Sequence, residues 1–239
     1  MAVSDCATAY TRDFIMSALP ARANRILEIG CGDGALAEAL SGDGLEVVAI
    51  DTDAALVDAA RARGVDAMQA EWPSSSDGTF DAILFTRSLH HVHDLAASVA
   101  AAFEALRESG RVIIEDFMAE GCSERSERWF ASLASLLDRA GLLTLHGATD
   151  YLDQVLGRSE PEAHDHDHDL HSSAAIAAAL GAHGRILRAE PSAYYFRYVM
   201  PALGDESDLA EAMLGHELEM IAAGAIDPLG RRLVAAAHA

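Results

Sequence analysis

Short apolar runs alternate with stretches of helical spacing through the first half of the chain. Arg25 to Ile29 is an apolar run ending in glycines, and Ala35 to Leu40 after it reads as helix. Glu46 to Ile50 predicts a second strand, broken by Asp51-Thr52-Asp53, and Asp53 is positioned as the N-cap of a helix reaching about Arg63. Asp66 to Ala70, Ala82 to Phe85 and Arg111 to Asp116 predict three more strands. Between the last two, Leu95, Val99, Ala102, Phe103 and Leu106 recur at helical spacing behind Asp94. This rhythm is that of a doubly wound α/β fold with a parallel sheet covered on both faces.

After Phe117 the pattern changes. Residues 119–157 show helical periodicity (Trp129, Leu133, Leu136, Leu137) with no strand among them, and an Asp/His run from His164 to His171 follows. Ser172 or Ser173 caps a helix to Leu180, Arg185 to Ala189 and Tyr194 to Met200 read as two further strands, and the tail from Asp205 reads as helix. The expected layout is a single domain over 1–239. It carries an inserted helical lid and His/Asp-rich loop over 117–171 and a helical C-terminal extension over 201–239.

The 239 residues include 17 Lys+Arg against 38 Asp+Glu, a net charge of −21 that repels phosphate backbones and anionic membrane surfaces. A small molecule is the expected partner, and nucleic acid and membrane are not. With 51% apolar residues the chain can bury a core, and no apolar stretch is long enough to span a bilayer. Three scattered cysteines, Cys6, Cys31 and Cys122, form no disulfide framework, and no signal peptide is visible. A cytoplasmic protein is expected.

The sharpest chemical signal is Ile26-Leu27-Glu28-Ile29-Gly30-Cys31-Gly32-Asp33-Gly34, a strand running into three glycines with a helix directly after. Glycine suits a turn whose dihedrals are closed to other residues and a backbone that a ligand must approach closely. Gly30-x-Gly32-x-x-Ala35 also satisfies a dinucleotide fingerprint. A pyrophosphate wants helix amides without anions beside them, whereas Asp33 lies inside this loop and Glu28 just before it. Such carboxylates suit a ligand carrying positive charge. Asp51 at the end of the second strand is placed to accept ribose hydroxyls for either ligand class.

This stretch resembles the first motif of class I S-adenosylmethionine-dependent methyltransferases of the small-molecule type, and the likeness continues in order over residues 10–116. Val47 to Asp53 is similar to the family's second strand with its ribose-binding acid. Ala70-Glu71-Trp72-Pro73 falls where the family has an acid for the adenine amino group and an apolar neighbour, with Glu71 in place of the usual Asp. Phe80 to Phe85 resembles the fourth strand, and Thr86-Arg87-Ser88-Leu89-His90-His91 the turn bordering the cofactor's methionine end. Glu104 to Arg111 takes the place of the following helix, turn and fifth strand. The resemblance implies a Rossmann-like seven-stranded sheet with its last strand antiparallel. It also implies binding of S-adenosylmethionine by Glu28, Gly30, Gly32, Gly34, Asp51, Glu71, Trp72 and Arg87, with S-adenosylhomocysteine as product. The acceptor, an O, N or S nucleophile, is not named by it.

Other candidates surround this frame. His91 is the expected general base, since its position faces the cofactor's sulfur end in similar proteins. Tyr10, His168, His171 and Tyr194 are candidate acceptor contacts. No metal is expected, although in an extended run His164, His166 and His168 would share one face. Two other functions compete: a non-catalytic S-adenosylmethionine-binding or partner-binding protein, and a nicotinamide-dependent oxidoreductase, which Glu28 and Asp33 disfavour.

Overall fold

The computed structural model describes residues 3–73, 78–118, 120, 123–144, 150–159, 170–203 and 207–238. In chain order these form α1 (Val3–Ala18), β1 (Arg25–Ile29), α2 (Ala35–Gly42), β2 (Glu46–Asp51), α3 (Ala54–Ala62), β3 (Asp66–Gln69), β4 (Phe80–Thr86), α4 (Leu95–Glu104) and β5 (Leu106–Phe117). There follow α5 (Glu124–Arg139), α6 (Asp150–Val155), α7 (Ser173–His183), β6 (Gly184–Ser192), α8 (Phe196–Val199), α9 (Ser207–Ala222) and β7 (Gly230–Ala237). The strands make one seven-stranded sheet in the order β3-β2-β1-β4-β5-β7-β6. The pairings among β1 to β5 are parallel, and the last strand is antiparallel.

Parallel central strands are covered on both faces, so their sequences are mostly apolar, with Glu28 a buried exception in β1. Side-chain alternation then divides the core in two. Ile26, Ala49, Ala82 and Leu84 pack toward Phe14 and Ile15 of α1, Leu36 and Leu40 of α2 and Val57 of α3. Their neighbours Leu27, Val48, Ile50, Ile83 and Phe85 pack on the other face with Val99 of α4 and Ile176 and Leu180 of α7. Three helix starts follow the expected caps: Asp53 accepts from the Ala55 N–H, Asp94 from the Ala97 N–H and Ser172 from the Ala175 N–H. Each such cap is worth about 1 kcal/mol.

The chain divides into two compact units: residues 10–119, 170–190 and 231–239 form one, and 1–9, 120–169 and 191–230 the other. The second is helical. There Phe130, Leu152, Tyr195, Phe196 and Met213 are buried, and the Glu217 carboxylate accepts the N–H groups of Tyr194, Tyr195 and Phe196.

That carboxylate explains the main error of the strand assignment. Tyr194 to Met200 is not a strand: the three N–H groups gathered by Glu217 start α8, and the consecutive burial of Tyr194, Tyr195 and Phe196 is not the alternation of a strand. The final strand lies instead at Gly230–Ala237, inside the stretch 201–239 expected to be helical throughout. Its alanines conceal it from a propensity reading. Among the described residues no helix is long and apolar enough to cross a membrane.

Candidate functional site

The loop after β1 is built by glycine conformations that other residues adopt only under strain. Gly30, Gly32 and Gly34 have φ of 74°, 57° and 79°. A Cβ on Gly30 would stand 2.5 Å from the Ser88 Cβ, and one on Gly34 2.6 Å from the Ala60 Cβ, so both glycines also permit close packing. A Cβ on Gly32 would meet nothing within 4 Å, so only its dihedral demands glycine. The Gly30 and Cys31 N–H groups donate to the Ile50 carbonyl at 2.8 and 3.0 Å, tying the loop to the end of β2.

Asp51 completes that tie. Its carboxylate accepts the Gly32 N–H at 2.8 Å through Oδ2 and the Asp53 N–H at 3.0 Å through Oδ1. Each oxygen retains acceptor capacity for a ligand hydroxyl. In the sheet order, the chain winds outward from β1 through β2 to β3 and returns on the other side at β4. Ligands in open α/β sheets bind at such a switch point, outside the strand carboxyl ends.

A cleft of about 340 Å³ lies there, lined among others by Gly30, Asp51, Glu71, Trp72, Arg87 and His91. Trp72 is a buried wall, its indole N–H donating to the Ser98 carbonyl at 3.0 Å, whereas Glu71 is exposed. Asp33 contributes less charge than its position in the loop implied, because Arg63 Nη2 pairs with it at 2.7 Å.

A model of the methyltransferase domain family matches residues 6–157, more than half of the chain. The chain belongs to the methyltransferase domain family. The ubiquinone biosynthesis O-methyltransferase of Xylella fastidiosa (strain 9a5c) is 34% identical over 111 residues, 43% of this chain and 45% of that protein. The chain thus spans less than half the length of the curated relatives it matches. An S-adenosylmethionine-dependent methyltransferase from Mesorhizobium loti shares the fold at a TM-score of 0.57, with 17% identity over 93% of this chain and 95% of that one. The [4+2]-cyclase SpnF shares it equally, with a TM-score of 0.57 and 18% identity over 95% of this chain and 80% of that one. At such identities the likeness is one of fold.

Within this methyltransferase domain the sequence-derived site residues separate into groups. Gly30, Asp51, Glu71, Trp72, Arg87 and His91 all line the cleft. Gly32 and Gly34 shape its loop. Glu28 is buried beneath it, with Oε1 accepting from the Thr86 hydroxyl at 3.1 Å and Oε2 without a hydrogen-bond partner among the described residues. Tyr10 is not among the cleft-lining residues: the Arg232 guanidinium lies 3.9 Å over its ring. His171 is held by two contacts, its Nε2 lying 2.7 Å from the Val92 carbonyl oxygen while its backbone N–H donates to the His90 carbonyl. Tyr194 is buried in the helical unit. His164, His166 and His168 lie outside the described residues. Among the described residues no group of three or more His, Cys, Asp and Glu is placed to hold a metal ion.

Sequence reading missed a buried pair under the cleft. His90 is 3% exposed, with Nδ1 2.6 Å from Asp116 Oδ1, and its ring centroid lies 4.0 Å from that of the exposed His91. The available signal was an acid, Asp116, closing a buried apolar strand. Cys31, by contrast, is a buried thiol, and burial and then the charges of Glu28 and Asp51 push it up to about 12, which disfavours the thiolate a nucleophile needs.

Burial likewise lifts the Glu28 carboxyl from its ordinary 4.5 to about 7, opposed by the Thr86 hydroxyl and the charge of Arg87. Between those two values the folded protein holds a proton that the unfolded chain releases, so stability falls as pH rises across the window and stays lower above it. The loss is on the order of 3 kcal/mol. Glu28→Gln, which is neutral throughout, is expected to be more stable than wild type at pH 8 and to converge with it near pH 4.5. Denaturant melts at the two pH values check this, and a difference that does not change with pH would contradict it.

Proposed function

We propose that the chain transfers a methyl group from S-adenosylmethionine to a small-molecule O, N or S nucleophile. The observation that carries this reading is the Asp51 carboxylate, fixed by the Gly32 and Asp53 N–H groups at the wall of the switch-point cleft. The residues fit that cofactor. Asp51 would accept both ribose hydroxyls, Glu71 the adenine amino group, and Trp72 offers an apolar wall. Beneath the loop, the unpartnered Glu28 Oε2 is a buried acceptor whose ionisation a nearby cation would favour.

When bound, S-adenosylmethionine supplies a methyl on a positively charged sulfur and leaves as neutral S-adenosylhomocysteine. The chain's own residues then have modest tasks: holding the acceptor in line, excluding water and taking up its proton. His91, on the cleft wall and exposed, would accept that proton from a hydroxyl, thiol or ammonium. The net charge of −21 favours a small acceptor over a nucleic acid.

The fold alone does not decide the reaction, as the cyclase with the same architecture illustrates. The test is incubation with S-adenosylmethionine and a panel of phenols, amines and thiols, followed by chromatography for S-adenosylhomocysteine. Acceptor-dependent formation of the product is expected. Tight binding of unreacted cofactor across the whole panel would favour a binding protein instead.

A further inference from the structure

We propose that Arg87 is a carboxylate-binding residue of the cleft, and this rests on reading the cleft as the small-molecule site. The carboxylate has two possible sources, the methionyl end of the cofactor or an acid group on the acceptor, and the chemistry is the same for both.

Arg87 follows the last residue of β4 with φ of 62°, in the left-handed region that favours glycine. Its backbone N–H donates to the Glu115 carbonyl at 2.8 Å, which fixes this conformation at the cleft wall. A long charged side chain kept where glycine would sit without strain marks a position selected for its head group.

That head group is not consumed by its neighbours. Glu115 is the carboxylate nearest to hand, yet Oε1 already accepts from the Thr11 hydroxyl at 2.6 Å, and Oε2 lies 2.7 Å from Arg232 Nε and 2.6 Å from Arg232 Nη2. One arginine therefore holds Glu115 in a two-pronged pair, and Arg87 Nη1 makes only a longer ion pair with Oε1 at 3.7 Å, outside hydrogen-bond range. Nη1 is buried and makes no hydrogen bond among the described residues. Glu28, whose carboxyl responds to the Arg87 charge, is bonded to Thr86 and not to Arg87.

A guanidinium stays charged at any working pH, and a buried N–H left unpaired is costly. Its planar fork matches a carboxylate, which the cleft leaves room to admit. Arg87 is also the only guanidinium or ammonium among the described residues lining the cleft, where Asp51 and Glu71 supply negative charge. β1 separates the strand ending in Asp51 from the strand preceding Arg87. The two charges thus project from strands about 10 Å apart. A ligand with hydroxyls at one end and a carboxylate at the other matches that arrangement.

Arg87→Gly is the decisive variant because the substitution suits the backbone, so the melting temperature should hold or rise. Calorimetry then compares S-adenosylmethionine with decarboxylated S-adenosylmethionine, the same sulfonium nucleoside without its carboxylate. Benzoate is compared with benzamide by NMR titration, on the free protein and with S-adenosylhomocysteine bound. In one pair the carboxylate-bearing probe is expected to lose about 10- to 100-fold in affinity while its partner changes little. Loss in the nucleoside pair assigns the carboxylate to the cofactor, and loss in the benzoate pair assigns it to the acceptor. Arg87→Lys, which keeps the charge without the fork, is expected to recover part of the loss. Unchanged affinities in both pairs, or equal losses with and without the carboxylate, would overturn the proposal. A wild-type protein that takes neither nucleoside refutes the cofactor reading, while benzoate on the free protein still decides the role of Arg87.

Discussion

Asp51→Ala is expected to remove measurable binding of S-adenosylmethionine while leaving the chain folded. The carboxylate acts twice: it pins the glycine loop through the Gly32 N–H and, in the proposed complex, accepts the ribose hydroxyls. Hydrogen bonds to a charged acceptor contribute about 1.5–3 kcal/mol each. Losing two costs roughly 3–6 kcal/mol, a weakening of about 10²- to 10⁴-fold. Asp51→Asn keeps an acceptor for the Gly32 N–H without the charge, and its loss should be smaller. Calorimetric titration of both variants checks the order, with circular dichroism confirming the fold. An Asp51→Ala dissociation constant equal to that of wild type would remove Asp51 from the binding site.

Gly34→Ala is expected to damage stability more than Gly32→Ala, although the two positions look alike in the motif. At Gly34 the new methyl would lie 2.6 Å from the Ala60 Cβ and 2.9 Å from its Cα, and backbone cannot swing aside as a flexible side chain can. Overpacking at α3 adds to the strain of φ at 79°, together about 2–4 kcal/mol. For a chain of this size the melting temperature would fall by about 5–15 °C. Gly32 has an open Cβ position, so alanine there carries only the dihedral cost of about 1 kcal/mol. Thermal melts of the two variants distinguish close packing from conformation, and equal shifts would show that the contact at Ala60 is relieved at little cost.

The parts legible in the sequence are those governed by neighbours along the chain. β1 matches the expected Arg25 to Ile29 because a strand buried on both faces must be apolar at successive positions. Asp53, Asp94 and Ser172 announce helix starts because a cap acts within about three residues of itself. The acid that ends β2 and the glycines after β1 are legible for the same reason. What escaped depends on partners far away in sequence. Glu217 starts α8 from 21 residues beyond Phe196, and Arg232 neutralises Glu115 across 117 residues. His90 meets Asp116 only because β4 and β5 lie side by side. The left-handed conformation of Arg87 is carried by no residue type that advertises it.

The sequence placed the charge of the loop incompletely. Asp33 is partnered by Arg63, so on the proposed reading discrimination against a diphosphate rests on Glu71 on the wall and Glu28 below. Parallel calorimetric titrations of the wild-type protein with S-adenosylmethionine and with NADH test that selectivity most directly. Saturable binding of the sulfonium nucleoside and no heat from the dinucleotide are the expected result. Saturable binding of NADH, with S-adenosylmethionine inert, would contradict the account.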